Sequence, residues 1–161
     1  METLLPPPQL TCIFTLRCTV KQPLDIGQVS SGRRRWVRIV GGSVSGKCLT
    51  GEVVGGEDSM TEEESLTTHV NARYLVKSDD GAHLEIRTEG TRSGPPEVLQ
   101  GLMEGKPIHH SQYWFHLHIK VETGSERYKW MNDRVIVGRA IRTKYEVSYD
   151  AYFLDNTPEF E

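Results

Sequence analysis

Two histidines and a glutamate lie on one face of a long alternating stretch, and their spacing suggests chemistry. The stretch is SQYWFHLHIKVETGSERYKWMN, from Ser111 to Asn132. His116, His118 and Glu122 are separated by even numbers of positions, and such side chains share a face of a β-strand. They could bind a metal ion, or transfer protons in a pocket. They could equally form the polar, solvated side of a half-covered strand.

Arg73 is a second candidate because it lies in NARYLV, between residues that must pack. If its side of the strand faces the interior, its guanidinium needs a carboxylate or an anionic ligand, since an unpaired buried charge is costly. The sequence offers Asp58, Glu85 and Glu122 as carboxylate partners. The alternative is a salt bridge on the outside of the fold.

Asp58 follows Gly55-Gly56, in a segment from Glu57 to Leu66 whose acidic composition predicts a loop. Functional side chains are often placed on loops held by a rigid scaffold. Asp58 is therefore a candidate base at the mouth of the fold. Its alternative role is to cap a turn.

Trp130 and Asn132 belong to a second alternating set that follows the break at Thr123, Gly124 and Ser125. On a strand they would share a face, where an aromatic wall beside an amide suits a flat, oxygenated ligand. Trp130 could instead be an ordinary core residue.

The elements that must position these residues are mostly strands. Alternation predicts strands at 10–20, 33–40, 47–54, 69–77, 83–88, 113–122, 133–139 and 145–154, with a loop at 21–32. One short helix is expected near 95–104, where two prolines open a segment with apolar residues at helical spacing. We therefore predict an all-β fold, a closed antiparallel β-barrel of about eight strands. The expected organisation is an extended leader at 1–9, one barrel domain at 10–155 and a loose tail at 156–161.

The bulk composition excludes several classes of protein. The chain has 161 residues, a formal net charge of −3 and three widely spaced cysteines without a CxxC pair. The acidic balance gives no reason to expect nucleic acid or an anionic membrane as a partner. We find no signal peptide and no apolar run of membrane-spanning length, and we expect a cytoplasmic protein.

Three blocks of the sequence resemble a known family, the domain of unknown function 3237. They are GRRRWVRIVGGSVSGKCLTGEVVGG, NARYLVKSDDGAHLEIRTEGTRSGPPEVL and YWFHLHIKVETGSERYKWMNDRVIVG, in this order from about Gly32 to Tyr152. The resemblance implies a small closed barrel, similar to that of allene oxide cyclase, without a known cofactor and often dimeric. It also implies a link to natural-product pathways, in which some fungal relatives serve.

The chain departs from the family pattern at two places. The family tends to have Ala-Asp-Trp after the two glycines, where this chain has Glu57, Asp58 and Ser59. In the long strand the family usually has Arg-Thr-Thr-Pro, and this chain has HLHI at 116–119. These differences suggest a pocket specialised for another ligand.

The leading hypothesis is a cofactor-independent enzyme that isomerises, cyclises or dehydrates a small oxygenated molecule, polyketide- or terpenoid-like, inside the barrel. Asp58 or His118 would be the base, and Arg73 would stabilise an enolate or carboxylate. His116, Glu122, Trp130 and Asn132 would bind the substrate. The expected partners are this small molecule and, from the resemblance, a second copy of the chain. The alternatives are a non-catalytic binding barrel and a metal-dependent enzyme that uses His116, His118 and Glu122.

Overall fold

The computed structural model describes residues 1–156, which form nine strands, one α-helix and two short 3₁₀ helices. Their bounds are β1 (Gln9–Val20), β2 (Leu24–Val29), β3 (Gly32–Ser45), β4 (Gly51–Glu62), β5 (Thr68–Ser78), β6 (His83–Ser93), α1 (Pro96–Met103), β7 (Trp114–Glu122), β8 (Ile136–Arg142) and β9 (Glu146–Asp155), with 3₁₀ helices at His110–Gln112 and Lys129–Asp133. Apart from Asn156, the predicted loose tail at 156–161 lies outside the described residues. No helix in the described part of the chain has the length and apolar character needed to cross a membrane.

Eight of the strands close into an antiparallel barrel, which confirms the predicted fold. Hydrogen-bonded neighbours follow the order β1-β9-β8-β7-β6-β5-β4-β3, and β3 pairs in turn with β1. Closure leaves these strands without the unpaired edge that an open sheet exposes.

The ninth strand, β2, pairs with the part of β3 that β1 does not reach. The prediction of a continuous loop at 21–32 is therefore wrong. Most of the β2 side chains are exposed on both faces, so the segment lacks the alternation by which strands are recognised. Its ladder with β3 and the ion pair of Asp25 with Arg33 hold it in place.

The barrel lumen is the hydrophobic core of the protein. Strand β5 alternates strictly between buried and exposed residues, and so does β7. The inward residues of β7 are Phe115, Leu117, Ile119 and Val121. Each large apolar side chain buried in this way contributes roughly 1.5–3 kcal/mol. The residues between them face solvent.

The connections between strands cover the two ends of the barrel. At the end where β4, β6 and β8 finish, α1 contributes Leu99 and Leu102 to the core. We call this the α1 end. At the opposite end, the β3–β4 and β7–β8 connections contribute Leu49 and Met131, both buried.

Strands β3, β4, β6 and β8 end later than the sequence predicted. Strand β4 continues to Glu62, through the segment expected to be a loop, and β6 continues to Ser93. The glycines before Asp58 lie within β4 because β5 approaches very closely there. A Cβ built on Gly56 would lie 2.3 Å from the carbonyl oxygen of Arg73, so glycine permits the pairing and does not end the strand.

Candidate active site in the barrel lumen

Three charged side chains line a small cavity near the α1 end of the lumen. Asp58 comes from β4, Arg92 from β6 and Arg142 from the end of β8. The remaining walls are mainly apolar or aromatic, formed by Cys18, Val20, Val37, Ile39, Val70, Ala72, Tyr74, Thr88, Phe115, Leu117, Val147 and Tyr149. The cavity volume is about 40 Å³, which is enough for a few water molecules or one small functional group.

Asp58 is held by the antiparallel pairing of β4 with both of its neighbours. It lies opposite Val37 on β3 and Ala72 on β5. Its Oδ1 atom accepts a hydrogen bond of 2.9 Å from the backbone N–H of Asn71. Burial raises the pKa of this carboxyl, although the Asn71 hydrogen bond and the two nearby arginines act in the opposite direction. The raised pKa favours a carboxyl group that can both take up and return a proton.

Arg92 is a buried cation with unused hydrogen-bonding capacity. Its exposed fraction is only 5%, and its Nη1 atom has no hydrogen-bond partner among the described residues. The guanidinium carbon lies 5.4 Å from the centre of the Phe115 ring. Burial, with the like charge of Arg142 as a second cause, lowers the pKa of Arg92 to about 10, so the group is charged at neutral pH. A buried charge without a partner is costly.

Arg142 gives the lumen a second cation. Burial lowers the pKa of Arg142 below its ordinary value, although the charge of Asp58 acts in the opposite direction. Its backbone N–H donates a hydrogen bond of 3.3 Å to the hydroxyl of Tyr113, which ties the end of β8 to the segment before β7. Within residues 1–156, no salt bridge of 4 Å or less joins Asp58 to either arginine. Two guanidiniums and one carboxyl thus leave the lumen with a net positive charge.

Two tyrosine hydroxyls form a hydrogen-bonded pair in the same cavity. The Tyr74 and Tyr149 hydroxyls, from β5 and β9, contact each other and both side chains are buried. Burial, and secondarily the charge of Cys18, raise the pKa of Tyr149 well above its ordinary value. The Tyr149 oxygen is therefore protonated, and its hydroxyl can donate to Tyr74 or to a ligand.

The structure places Arg73 and His118 on the outside of the barrel, so the expectation that they act in its lumen is wrong. The side chain of Arg73 is 58% exposed, and its Nε atom lies 3.3 Å from Glu85 on the neighbouring strand. On β5 the buried residues alternate with exposed ones and include Val70 and Ala72. Arg73 belongs to the exposed residues and lies on the opposite face of the strand. His118 is outward on β7 for the same reason. Of the three predicted partners of Arg73, the structure shows Glu85.

His116 and Glu122 also face outward from β7. The described part of the chain contains no group of three or more His, Cys, Asp or Glu residues that could hold a metal ion. His116 and His118 instead line an open groove on the outer face, with Leu10, Thr91, Trp114, Val137, Arg139 and Tyr152 among the other lining residues. The polar residues of β7 thus do not join the lumen cluster.

Trp130 and Asn132 lie in the 3₁₀ helix Lys129–Asp133, so the prediction that they share the face of a strand is wrong. The Trp130 ring packs edge-on against Phe153, with ring centres 5.5 Å apart. The Asn132 side chain accepts from the backbone N–H of Thr123 at 3.0 Å and donates to its carbonyl at 2.8 Å. Both side chains therefore stabilise the β7–β8 connection, at the opposite end from the charged cluster.

Sequence reasoning identified Asp58 but missed Arg92, Arg142 and Tyr74. The signal for Arg92 is the alternation of β6, in which every second residue from Leu84 to Arg92 is inward or is Gly90. Arg142 continues the inward series of Ile136, Gly138 and Ala140 in the same way. Both strands were predicted to end before these arginines.

Comparison with known proteins places this barrel in a family. The model of the family Protein of unknown function (DUF3237) matches residues 8–154, which confirms the resemblance in the sequence. The UPF0311 protein of Clostridium acetobutylicum is 34% identical over 142 residues, covering 87% of this chain and 90% of that protein. The crystal structure of a conserved protein of unknown function from Rhodopseudomonas palustris has a TM-score of 0.88 at 28% identity, covering 92% of this chain and 99% of that one.

A more distant relative has a named activity. The Hydroalkoxylation enzyme phnH of Penicillium herquei is 27% identical over 128 residues, covering 79% of this chain and 70% of that enzyme. The barrel fold is thus compatible with an enzyme, while the relatives of higher similarity carry no named activity.

Proposed function

This chain belongs to the DUF3237 family, and on that premise we propose that its lumen is an acid/base active site for a small oxygenated molecule. The reaction class is an isomerisation, cyclisation or dehydration that passes through an enolate. The observation that carries this proposal is the buried, charged Arg92, which lines the same cavity as Asp58 and Arg142. Its Nη1 atom has no hydrogen-bond partner in the described part of the chain. Such a group is suited to bind an oxygen that becomes negatively charged during a reaction.

The three reaction classes need the same two functions from the protein. In a cyclisation, a substrate hydroxyl loses its proton to Asp58 and its oxygen bonds to the β-carbon of a C=C conjugated with a carbonyl. The electron pair moves to the carbonyl oxygen, and Arg92 and Arg142 stabilise the resulting enolate. The protonated Asp58 then returns the proton to the α-carbon, and the carbonyl re-forms. Dehydration removes the β-oxygen by the reverse sequence, and isomerisation moves only the proton.

The hydroalkoxylation activity for which the fungal relative is named makes addition of O–H across C=C the first reaction to test. Burial raises the pKa of Asp58, which makes it a stronger base toward a substrate hydroxyl. The Tyr74–Tyr149 pair supplies a neutral hydroxyl donor that can orient a second substrate oxygen. We propose that no cofactor takes part, because proton transfer and enolate stabilisation need no redox group.

A non-catalytic binding barrel is the second candidate. In that case the Arg92 guanidinium would bind an anionic group of the ligand, and the ligand would be released without chemical change. The two candidates differ in their dependence on Asp58, which only the enzyme requires for proton transfer.

The test is turnover of a panel of hydroxy-enones and β-hydroxy ketones in D₂O, with product deuterium measured by mass spectrometry. We expect conversion of at least one class, with a solvent deuteron on the α-carbon of any addition product. Asp58→Asn and Arg92→Gln should each lower kcat/KM by roughly 10²–10⁴-fold. The matched controls are Glu57→Gln and Arg87→Gln, on the outer face of the same strands. Full activity in both lumen variants, or a panel that is bound at Arg92 but never converted, would contradict catalysis.

A further inference from the structure

The lumen cavity, at about 40 Å³, holds the reacting group of a substrate but not its carbon skeleton. If the proposed function is right, the remainder of the substrate must occupy an adjoining space. A cleft of about 680 Å³ lies beside α1, between the segment that follows this helix and the β8–β9 turn. This volume is in the range of roughly 300–1,000 Å³ that small-molecule sites occupy.

Arg142 connects the cleft to the lumen. It lines both cavities, and its backbone is hydrogen-bonded to Tyr113 at the base of the same segment. The cleft is open to solvent on its other side, where Tyr145 is exposed. A molecule in the cleft would therefore reach the lumen by passing along the side chain of Arg142.

The lining of the cleft selects for an apolar body with anionic or oxygen substituents. Its walls are Leu102, Gly105, Lys106, Pro107, Ile108, His109, Arg142, Thr143, Lys144 and Tyr145. Apolar and aromatic surface is thus combined with Lys106, Lys144 and Arg142, and no Asp or Glu of the described residues lines the cleft. Lys106 is paired with Glu104 at 2.8 Å just outside the lining, so Lys144 and Arg142 are the cations available to a ligand. Lys144 lies over the Tyr145 ring at 5.2 Å, which keeps this cation next to apolar surface.

The groove of about 820 Å³ on the outer face is less suited to feed the lumen. It shares only Leu117 with the lumen cavity, and none of the charged residues. A ligand could pass inward from this groove only by separating paired strands, for example β7 and β8 at Leu117 and Gly138. The cleft lies at an end of the barrel, where no strand pairing has to be broken.

From these observations we infer that the cleft beside α1 binds the apolar body of the substrate and is its entrance to the lumen. The ligand class is a small aromatic or polycyclic molecule whose carbonyl or carboxylate oxygen binds between Arg142 and Arg92. This inference rests on the proposed function for its occupant, but it assigns a separate set of residues.

The first test uses 2-naphthoate as the probe and the neutral 2-naphthalenemethanol as its comparison. We expect ¹H–¹⁵N chemical-shift changes with naphthoate to concentrate at residues 102–109 and 142–145. Arg142→Gln should weaken naphthoate binding at least tenfold, since it removes a charge-assisted contact. Arg139→Gln, on the outer side of the same strand, should leave it unchanged. Shifts centred on the outer groove, or no binding at millimolar probe, would overturn the inference.

A reversible crosslink tests the entrance. A Cβ built on Gly105 would lie 3.5 Å from the Cβ of Lys144, a separation found in disulfides. In the double variant Gly105→Cys/Lys144→Cys, oxidation should fasten the segment after α1 to the β8–β9 turn and slow naphthoate association at least tenfold. Reduction of the same sample should restore the rate, and this comparison controls for strain at Gly105, where φ is +73°. Equal association rates in the oxidised and reduced forms would contradict the entrance.

The two proposals can fail separately. If naphthoate maps to the outer groove while Asp58→Asn abolishes turnover, the lumen site stands and the cleft assignment is wrong. If naphthoate maps to the cleft while Asp58→Asn turns over normally, the cleft is a binding site and the acid/base role of Asp58 is wrong.

Discussion

Individual lumen residues carry a free-energy cost that their surroundings do not offset. Arg92 is almost fully buried, and its Nη1 donor has no partner within residues 1–156. Burial also raises the pKa of Asp58. A core optimised for stability alone would place apolar side chains at both positions, as β7 does along its whole inward face. Such costs are expected at functional sites, where activity is retained at the expense of stability.

The pKa of Asp58 gives a prediction about stability. A carboxyl whose folded pKa is raised stabilises the fold below its unfolded pKa, and this contribution is lost as the pH rises through the folded value. Asp58→Asn mimics the neutral form and keeps the acceptor for the Asn71 N–H. We therefore expect this variant to melt at a higher temperature than the wild type at neutral pH.

Thermal melts over a pH series would check this expectation. The advantage of the variant should disappear in acid, below the usual aspartate pKa of about 4. Glu57→Gln, on the exposed face of the same strand, provides the matched control. A lower melting temperature for Asp58→Asn at neutral pH would show that ionised Asp58 stabilises the fold.

Among the elements, β4 and β6 decide where the site is. Their alternation was visible in the sequence, but their ends were placed too early, at Gly55-Gly56 and at Thr88. Glycines often mark the turns at which strands end. Here Gly56 instead allows β5 to approach closely, so the strand continues and includes Asp58. A glycine can end a strand, or it can let a neighbouring strand approach closely. Which of the two happens depends on the neighbouring strand, and the local sequence pattern does not identify that strand.

The two adjacent glycines of β4 provide a test of this explanation. Gly56→Ala would put a Cβ 2.3 Å from the carbonyl oxygen of Arg73, whereas the nearest atom at Gly55 is 3.6 Å away. We expect Gly56→Ala to lower the free energy of unfolding by roughly 1–3 kcal/mol and to displace Asp58. Gly55→Ala should have a much smaller effect. Denaturant unfolding of both variants would measure the difference, and equal effects would contradict the role of close strand approach.

For the whole molecule, the sequence predicted the class of fold and one of the lumen residues. Period-two patterns in most strands, with a single helical segment, indicate a small barrel without knowledge of strand order. These patterns do not show which face of each strand lies inside the barrel. Interpreting the polar face of β5 and β7 as a pocket put Arg73 and His118 inside, but a barrel this small uses its lumen as its core, so the apolar face turns inward.

The central claim is that Arg92 is retained for an anionic oxygen and not for the stability of the barrel. The free energy of unfolding of Arg92→Met at neutral pH tests this claim directly. If the claim is right, the variant is at least as stable as the wild type, and as much as roughly 1–4 kcal/mol more stable, because an apolar side chain replaces a buried charge that forms no salt bridge within residues 1–156. A loss of several kcal/mol in Arg92→Met would contradict it, since Arg92 would then be a structural residue of the core.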